Sequence, residues 1–143
     1  MSEQEEVRKA SGQFYNALNR MLNGDAGTLT KVWSHDKNVT TMHPIGGQQT
    51  GWDDVKKSFE QVAEMSKDGQ VNLNDQTIRV VGDMAYEVGS EEGRLTLAGE
   101  KISIRHRVTN VYCREGGEWK LVHHHGDISP AMVEILNRIH AKA

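Results

Sequence analysis

The spacing of hydrophobic and polar residues changes near the middle of the chain. Before residue 70, apolar side chains recur every three or four positions in two long stretches, residues 2–23 and 52–67, and in a short one at residues 29–33. This spacing predicts three helices. The β-branched segment at residues 38–43 predicts a strand, and the glycine-rich "PIGGQQTG" that follows it is predicted to be a loop.

From residue 70 onward, apolar and polar positions alternate, which is typical of β-strands. Turn sequences at Gly82-Asp83, Ala98-Gly99 and Gly116-Gly117 divide this half into an antiparallel meander. Ser129 and Pro130 then occupy the N-cap and first-turn positions of a short last helix. Helices followed by strands predict the α+β class, with a curved, cone-shaped antiparallel sheet wrapped around the N-terminal helices. A single domain is expected for residues 1–143.

The strand at residues 100–114 indicates which side chains face the interior. Ile102, Ile104 and Val108 share one parity, which predicts that this face is the inner one. His106 and Asn110 have the same parity and are therefore expected inside as well. Buried polar groups need a hydrogen-bond partner or a functional role. Both residues are therefore predicted to bind a ligand.

The register of the last two strands decides the orientation of a run of three histidines. A two-residue turn at Gly116-Gly117 would place Asn110 opposite His123. Residues directly opposite each other share a face of the sheet, and His125 shares the parity of His123. His123 and His125 are therefore predicted to face the interior, and His124 the outside.

Two interpretations of the inward histidines remain open at this stage. They either are core groups bonded to the backbone and to one another, or line a cavity. His106, His123 and His125, with Asn110 beside them, have more hydrogen-bonding capacity than a core needs, which favours a pocket for a small molecule. Zinc bound by alternating strand histidines is a weaker interpretation. Neither a metal nor another cofactor is predicted.

Further candidates for the pocket lie elsewhere in the chain. Glu87, and Glu91 at the same parity, either form a solvated edge or face the histidines. A carboxylate beside an imidazole fixes its tautomer and raises its basicity, so Glu87 is a candidate catalytic residue. Trp33, Trp52 and Tyr15 are expected in the core or in the pocket wall, and Trp33 and Trp52 are assigned to ligand binding.

Composition excludes several classes of partner. The chain carries a net charge of -3 and has a pI near 6.1, so it has no basic field to attract nucleic acid or an anionic membrane. No segment has the pattern of a signal peptide or a transmembrane span, which predicts a cytoplasmic protein. The one cysteine, Cys113, has no partner for an internal disulfide.

The final hairpin resembles the end of the association domain of calcium/calmodulin-dependent kinase II. The segment "TNVYCREGGEWKLVHHH" carries the matching residues. These are Thr109, Val111, Arg114, Gly117, Trp119, Val122, His123 and His125. The order of elements along nearly the whole chain is similar to that of the SnoaL-like, ketosteroid-isomerase-like members of the nuclear transport factor 2 superfamily. Because that superfamily includes enzymes and scaffolds, the resemblance implies the fold more directly than the function.

The resemblance also suggests a role for His43. In the ketosteroid isomerases an aspartate before a proline is the general base, and His43-Pro44 stands at the matching place here. A histidine can also accept a proton. We therefore predict an enzyme-like domain that binds a small molecule, with His43 or His123 as base and Glu87 orienting it. The alternative is a binding or oligomerisation module without chemistry. The mixed apolar and basic outer face of the sheet predicts a homodimer.

Overall fold

A computed structural model of the protein describes residues 1–141 and contains four helices and one six-stranded sheet within that range. The elements in chain order are α1 (Glu3–Met21), α2 (Leu29–Val32), β1 (Thr40–His43), β2 (Gly46–Thr50), α3 (Trp52–Met65), β3 (Ser66–Val81), β4 (Met84–Leu97), β5 (Glu100–Glu115), β6 (Glu118–Gly126) and α4 (Pro130–Ala141). The strands lie in the order β2-β1-β6-β5-β4-β3. The predicted α+β class and the antiparallel meander are confirmed.

Helix α1 begins as the sequence predicts. The hydroxyl of Ser2 accepts a hydrogen bond from the backbone N–H of Glu5 at 3.1 Å, which caps the first turn. The apolar face buries Val7, Phe14 and Leu18 against the inner side of the sheet. This helix therefore forms the centre of the hydrophobic core.

The segment predicted to be a loop after β1 is instead a strand. Residues 46–50 form β2, which pairs antiparallel with β1, so that Thr40 lies opposite Thr50. Gly46 and Gly47 both have positive φ, a conformation that glycine adopts without strain and that permits the tight reversal. The other edge of β1 pairs in parallel with β6, with Thr40 opposite His123. One parallel pair thus joins an otherwise antiparallel sheet.

Two β-bulges bend β3 and give the sheet its curvature. The pairing of β3 with β4 shifts around Asp68 and again around Asp75, and both residues have left-handed backbone conformations, with φ of 52° and 56°. Bulges increase the twist of a strand and bend it. Strand β3 also begins at Ser66, directly after α3, whereas the sequence predicted helix to residue 67 and strand from residue 70. The bent sheet curls around α1.

A third irregularity lies in the final hairpin and overturns one prediction. Tyr112 lies opposite Leu121 as expected, but the next pair is Val111 with His123, so that Val122 is an extra residue. The bulge reverses the facing of all residues after it. His124 therefore points inward and is 3% exposed, whereas His123 and His125 lie on the outer face. The predicted inward orientation of His123 and His125 was wrong.

Candidate functional site

The candidate site is a cavity between α1, α3 and the inner face of the sheet. It has a volume of about 70 Å³ and lies within about 590 Å³ of empty space that includes its mouth. This is enough for several water molecules or a small ligand. Most of the wall is apolar, and includes Leu18, Phe59, Leu95, Ile104 and Met132. The polar side chains in the wall are His43, Glu91, His106 and His124.

Glu91 and His106 form a buried pair directly across two strands. They are opposite residues of β4 and β5, and His106 Nε2 lies 2.6 Å from Glu91 Oε1. The side chains are only 5% and 4% exposed, respectively. The other oxygen of Glu91 accepts a hydrogen bond from the Tyr15 hydroxyl at 2.8 Å. Both oxygens of this carboxylate are therefore occupied, and the orientation of the His106 ring is fixed.

The surroundings keep Glu91 ionised and Tyr15 protonated. Burial by itself raises the pKa of Glu91, but the hydrogen bond from His106, the nearby His124 and the hydrogen bond from Tyr15 together leave that pKa below its ordinary value. Burial and the adjacent negative charge of Glu91 raise the pKa of Tyr15 well above its ordinary value. At neutral pH the site therefore contains one buried carboxylate with a tyrosine hydroxyl that donates to it.

Asn110 connects this pair to a second histidine. Its Nδ2 donates to the Tyr15 hydroxyl at 3.1 Å and to Glu87 Oε1 at 2.9 Å. Its Oδ1 lies 2.6 Å from Nδ1 of His124. Burial, partly offset by the charge of Glu91, lowers the pKa of His124, so its imidazole is neutral near pH 7. The amide of Asn110 thus fixes the positions of three functional groups.

Glu87 is fully buried behind the cavity wall. Its Oε1 also accepts from the Tyr112 hydroxyl at 2.9 Å, and its Oε2 accepts from Gln76 Nε2 at 2.6 Å. Gln76 lies in the bulge of β3 and accepts in turn from Arg8. A buried carboxylate is tolerated only when its oxygens are hydrogen-bonded, and here at least three donors bond to them. Glu87 therefore supports the cavity wall from behind and does not line the cavity.

His43 occupies the end of β1 and faces the cavity as predicted. Its Nε2 lies 2.8 Å from the Ser58 hydroxyl of α3, and its ring packs edge-on against Phe59. Burial, together with the neighbouring His124, lowers its pKa to about 3, although the charge of Glu91 acts in the opposite direction. His43 is therefore a neutral imidazole at physiological pH.

The structure separates the predicted site residues into two groups. His43 and His106 line the cavity, and Glu87 and Asn110 support it from behind. The remaining candidates lie outside it. Trp33 is buried in the core, Trp52 stacks on His35 with ring centroids 4.6 Å apart, His123 contacts Thr40 at 2.7 Å, and His125 is exposed on the outer face.

Three residues of the site were missed or given a lesser role. Tyr15 was expected in the core or the pocket wall, His124 was placed outside, and Glu91 was left open between a solvated edge and the pocket. The signal for Glu91 was present in the sequence, because the two-residue turn at Ala98-Gly99 sets the register that pairs Glu91 with His106. The signal for His124 was absent, because nothing in the sequence marks the bulge at Val122.

The site does not have the geometry of a metal centre. Within residues 1–141, no group of three or more His, Cys, Asp or Glu side chains is arranged to hold a metal ion.

In the same range no helix is long and apolar enough to cross a membrane.

A cavity enclosed between N-terminal helices and a curved sheet defines the class of nuclear transport factor 2-like domains. The model of the SnoaL-like domain family matches residues 7–132. The chain belongs to this SnoaL-like family, as its resemblance in sequence implied. A search of proteins with curated functions finds no significant match.

Solved structures with the same fold include a proposed enzyme and a proposed association domain. A proposed dehydratase of the NTF2-like family from Streptomyces avermitilis is 26% identical, with a TM-score of 0.78, and the alignment covers 89% of this chain and 96% of that one. A proposed kinase II association domain from Thiobacillus denitrificans is 22% identical, with a TM-score of 0.69 and coverages of 85% and 94%. An NTF2-like protein from Salmonella enterica is 16% identical, with a TM-score of 0.76 and coverages of 89% and 92%.

Proposed function

We propose that the protein binds a small, mainly apolar molecule in the cavity and transfers a proton on it, with His106 as the acid–base group and Glu91 as its partner. The observation that carries this proposal is the 2.6 Å contact between these side chains in the wall of a mostly apolar cavity. Buried carboxylate–imidazole pairs beside a cavity are typical of functional sites. The similarity to a proposed dehydratase supports the same reaction class.

The geometry assigns separate tasks to the two members of the pair. The Glu91 carboxylate receives the Nε2–H of His106, which leaves Nδ1 as the nitrogen that can accept a proton. Glu91 then stabilises the positive charge that His106 gains. The same nitrogen returns the proton to another carbon in an isomerisation, or to a leaving hydroxyl group in a dehydration. Both outcomes need one group that accepts and then donates a proton.

The other candidate residues have supporting roles in this proposal. With its pKa lowered to about 3, His43 is a poor base and instead accepts a hydrogen bond from the ligand. Glu87 positions Asn110, and Asn110 positions Tyr15 and His124. His123 and His125 take no part, because they lie on the opposite face of the sheet.

The proposal can be tested with 2-hydroxycyclohexanone, which combines an apolar ring with an exchangeable proton next to a carbonyl group. Proton NMR in D2O would follow the exchange of that proton with and without the protein. We expect the protein to accelerate exchange and His106→Ala to reduce the acceleration at least about 100-fold, the usual contribution of a general base. His125→Ala, on the outer face of the sheet, is the matched control and should behave like the parent protein.

Two results would change the proposal. Binding without accelerated exchange would favour the non-catalytic binding module. Equal acceleration by the parent protein and the His106→Ala variant would remove His106 from the mechanism.

A second candidate function is self-association through the outer face of the sheet. Met84, Tyr86 and Val88 form a row of exposed apolar side chains on β4, and Val111 lies beside Tyr86 on β5. Apolar rows of this kind are typical of interfaces. Solved structures that share the fold include a CaMKII hub from S. rosetta, at 21% identity and a TM-score of 0.72 over 90% of this chain and 98% of that one. We propose a homodimer, and light scattering of the parent protein and of Val111→Asp tests it. A monomeric parent protein would contradict it.

A further inference from the structure

The hydrogen positions in the cavity wall follow from the contacts around each ring. An imidazole that is neutral has one N–H donor and one nitrogen that accepts. A ring whose N–H is directed at a protein acceptor therefore presents only an acceptor to a ligand. The hydrogen-bond partners of the three cavity histidines show which ring nitrogen carries the hydrogen and which one accepts.

His43 has its hydrogen on Nε2. The Ser58 hydroxyl donates its only hydrogen to the backbone carbonyl of Val55, at an oxygen–oxygen distance of 2.6 Å. The same hydroxyl oxygen lies 2.8 Å from His43 Nε2 and must accept there. Nδ1 of His43 is consequently the unprotonated nitrogen.

His124 has the opposite tautomer. Asn110 directs its Nδ2 at the carboxylate of Glu87, 2.9 Å away, because the amide oxygen would be repelled in that position. The amide oxygen of Asn110 therefore faces His124 Nδ1, 2.6 Å away, and that nitrogen carries the hydrogen. Nε2 of His124 is the acceptor.

The third ring and the tyrosine complete the pattern. His106 donates Nε2–H to Glu91, and its Nδ1 is buried without a hydrogen-bond partner among the described residues. An unpaired buried nitrogen of this kind is costly unless a ligand or a water molecule donates to it. Tyr15 directs its hydroxyl hydrogen at Glu91 and has none left for a ligand.

We propose that the cavity is a site made only of hydrogen-bond acceptors, which selects apolar molecules bearing a hydroxyl or amino group over matching molecules that can only accept. The acceptors in this proposal are His43 Nδ1, His124 Nε2 and His106 Nδ1, and a ligand reaches His106 Nδ1 only when the wall around it opens, because that atom has almost no accessible surface. This inference rests on the small-molecule binding proposed above, and it adds the chemical class of the ligand. It predicts that the reacting molecule is held through a hydroxyl or amino group, whereas a ketone without such a group is held poorly.

The first test measures the tautomers directly in the parent protein. Nitrogen-15 NMR of protein with labelled histidine distinguishes protonated from unprotonated ring nitrogens, and His43→Leu and His124→Leu assign the signals. We expect the Nε2–H tautomer for His43 and the Nδ1–H tautomer for His124 near pH 7.5. The opposite tautomer for either ring would place a donor in the cavity and overturn the proposal, whether or not any ligand binds.

The second test compares ligands of the same size. Cyclohexanol and cyclohexanone, which are both uncharged, are titrated into the parent protein and into His125→Ala, and the shifts of cavity resonances give the dissociation constants. We expect cyclohexanol to bind at least about five-fold more tightly than cyclohexanone, as one or two net hydrogen bonds would provide. The outer-face variant should retain the same preference.

The outcomes separate this inference from the proposed function. Equal binding of cyclohexanol and cyclohexanone would overturn the donor preference and leave small-molecule binding intact. A clear preference without accelerated proton exchange would support the acceptor site and remove the proposed catalysis. Binding of neither molecule would overturn both.

Discussion

The inner and outer faces of the sheet differ in whether their polar side chains are buried and hydrogen-bonded to one another. On the inner face of β4 and β5, Glu87, Glu91, His106 and Asn110 are almost completely buried, and each bonds to at least one of the others or to a tyrosine. On the outer face of the same strands, apolar side chains such as Tyr86 are exposed instead. Burial makes every inner partner necessary, whereas solvent can replace those outside.

Two pairs of hydrogen-bonded side chains, each with one carboxylate, show the same contrast. Glu91 and His106 are 5% and 4% exposed, whereas Arg107 and Asp127 on the outer face are 87% and 44% exposed at a similar distance, 2.7 Å. A surface pair is screened by water and salt and stabilises the fold little. The buried pair is the one whose chemistry the protein can control.

Among substitutions on the two faces, Asn110→Ala should lower the stability of the protein the most. Its loss leaves Glu87, Tyr15 and His124 each short of one partner, and we expect the free energy of unfolding to fall by about 3 kcal/mol. Urea denaturation monitored by tryptophan fluorescence measures the change. Thr109→Ala, the adjacent outward position, is the control and should change the value by less than about 0.5 kcal/mol. Similar losses of stability in the two variants would show that the inner polar groups are no more important than the outer ones.

The pH dependence of stability should come from the inner histidines. The pKa of His43 is about 3 in the folded protein, below the ordinary 6.5 of the unfolded chain. The unfolded state therefore binds more protons below pH 6.5, so stability is highest above that pH and falls as the pH drops toward 3. At pH 5 the loss from His43 is about 2 kcal/mol.

Urea denaturation at pH 7.5 and pH 5 measures this loss. His43→Leu removes the titrating group and should show a smaller difference between the two pH values. The lowered pKa of His124 predicts that part of the dependence remains in that variant. An unchanged stability between pH 7.5 and pH 5 in the parent protein would argue against neutral buried imidazoles.

Two tyrosines provide a matched comparison of smaller effect. Tyr15→Phe removes the donor to Glu91 and the acceptor of Asn110, and should lower the free energy of unfolding by about 1.5 kcal/mol. Tyr86→Phe removes a hydroxyl from a partly exposed side chain on the outer face and should have almost no effect. Thermal unfolding of the two variants compares them under identical conditions. The comparison fails if Tyr86→Phe is the more harmful change.

The smallest effect is expected for His125→Ala. This side chain is exposed on the outer face, so its removal should change the free energy of unfolding by less than about 0.5 kcal/mol and leave ligand binding unaltered. Titration with cyclohexanol and urea denaturation check the two expectations. A loss of ligand binding in this variant would restore the role that the sequence first suggested for His125.

The sequence was sufficient where local patterns act alone. The start of the first helix, the turns at Ala98-Gly99 and Gly116-Gly117, and the last helix beginning at Pro130 are all where the pattern predicts them. The inward parity of β5 was also correct, because period-two alternation fixes the face of every residue in a strand that contains no bulge. The SnoaL-like family followed from these features together with the final hairpin.

Prediction from sequence failed where pairing partners decide the structure. Residues 46–50 form a strand because β1 offers them an edge, although their glycines and glutamines have low β-propensity. The homodimer, the single-domain organisation and the cytoplasmic location stay predictions.

The sequence by itself determined the order of elements apart from β2, the family and the presence of several histidines near a buried strand. Only the tertiary structure decided which of them meet. One extra residue at Val122 turns His124 into the cavity and His123 and His125 out of it. Because side chains alternate along a strand, a single bulge exchanges the two faces, and pairing across the hairpin rather than local sequence determines where that bulge lies.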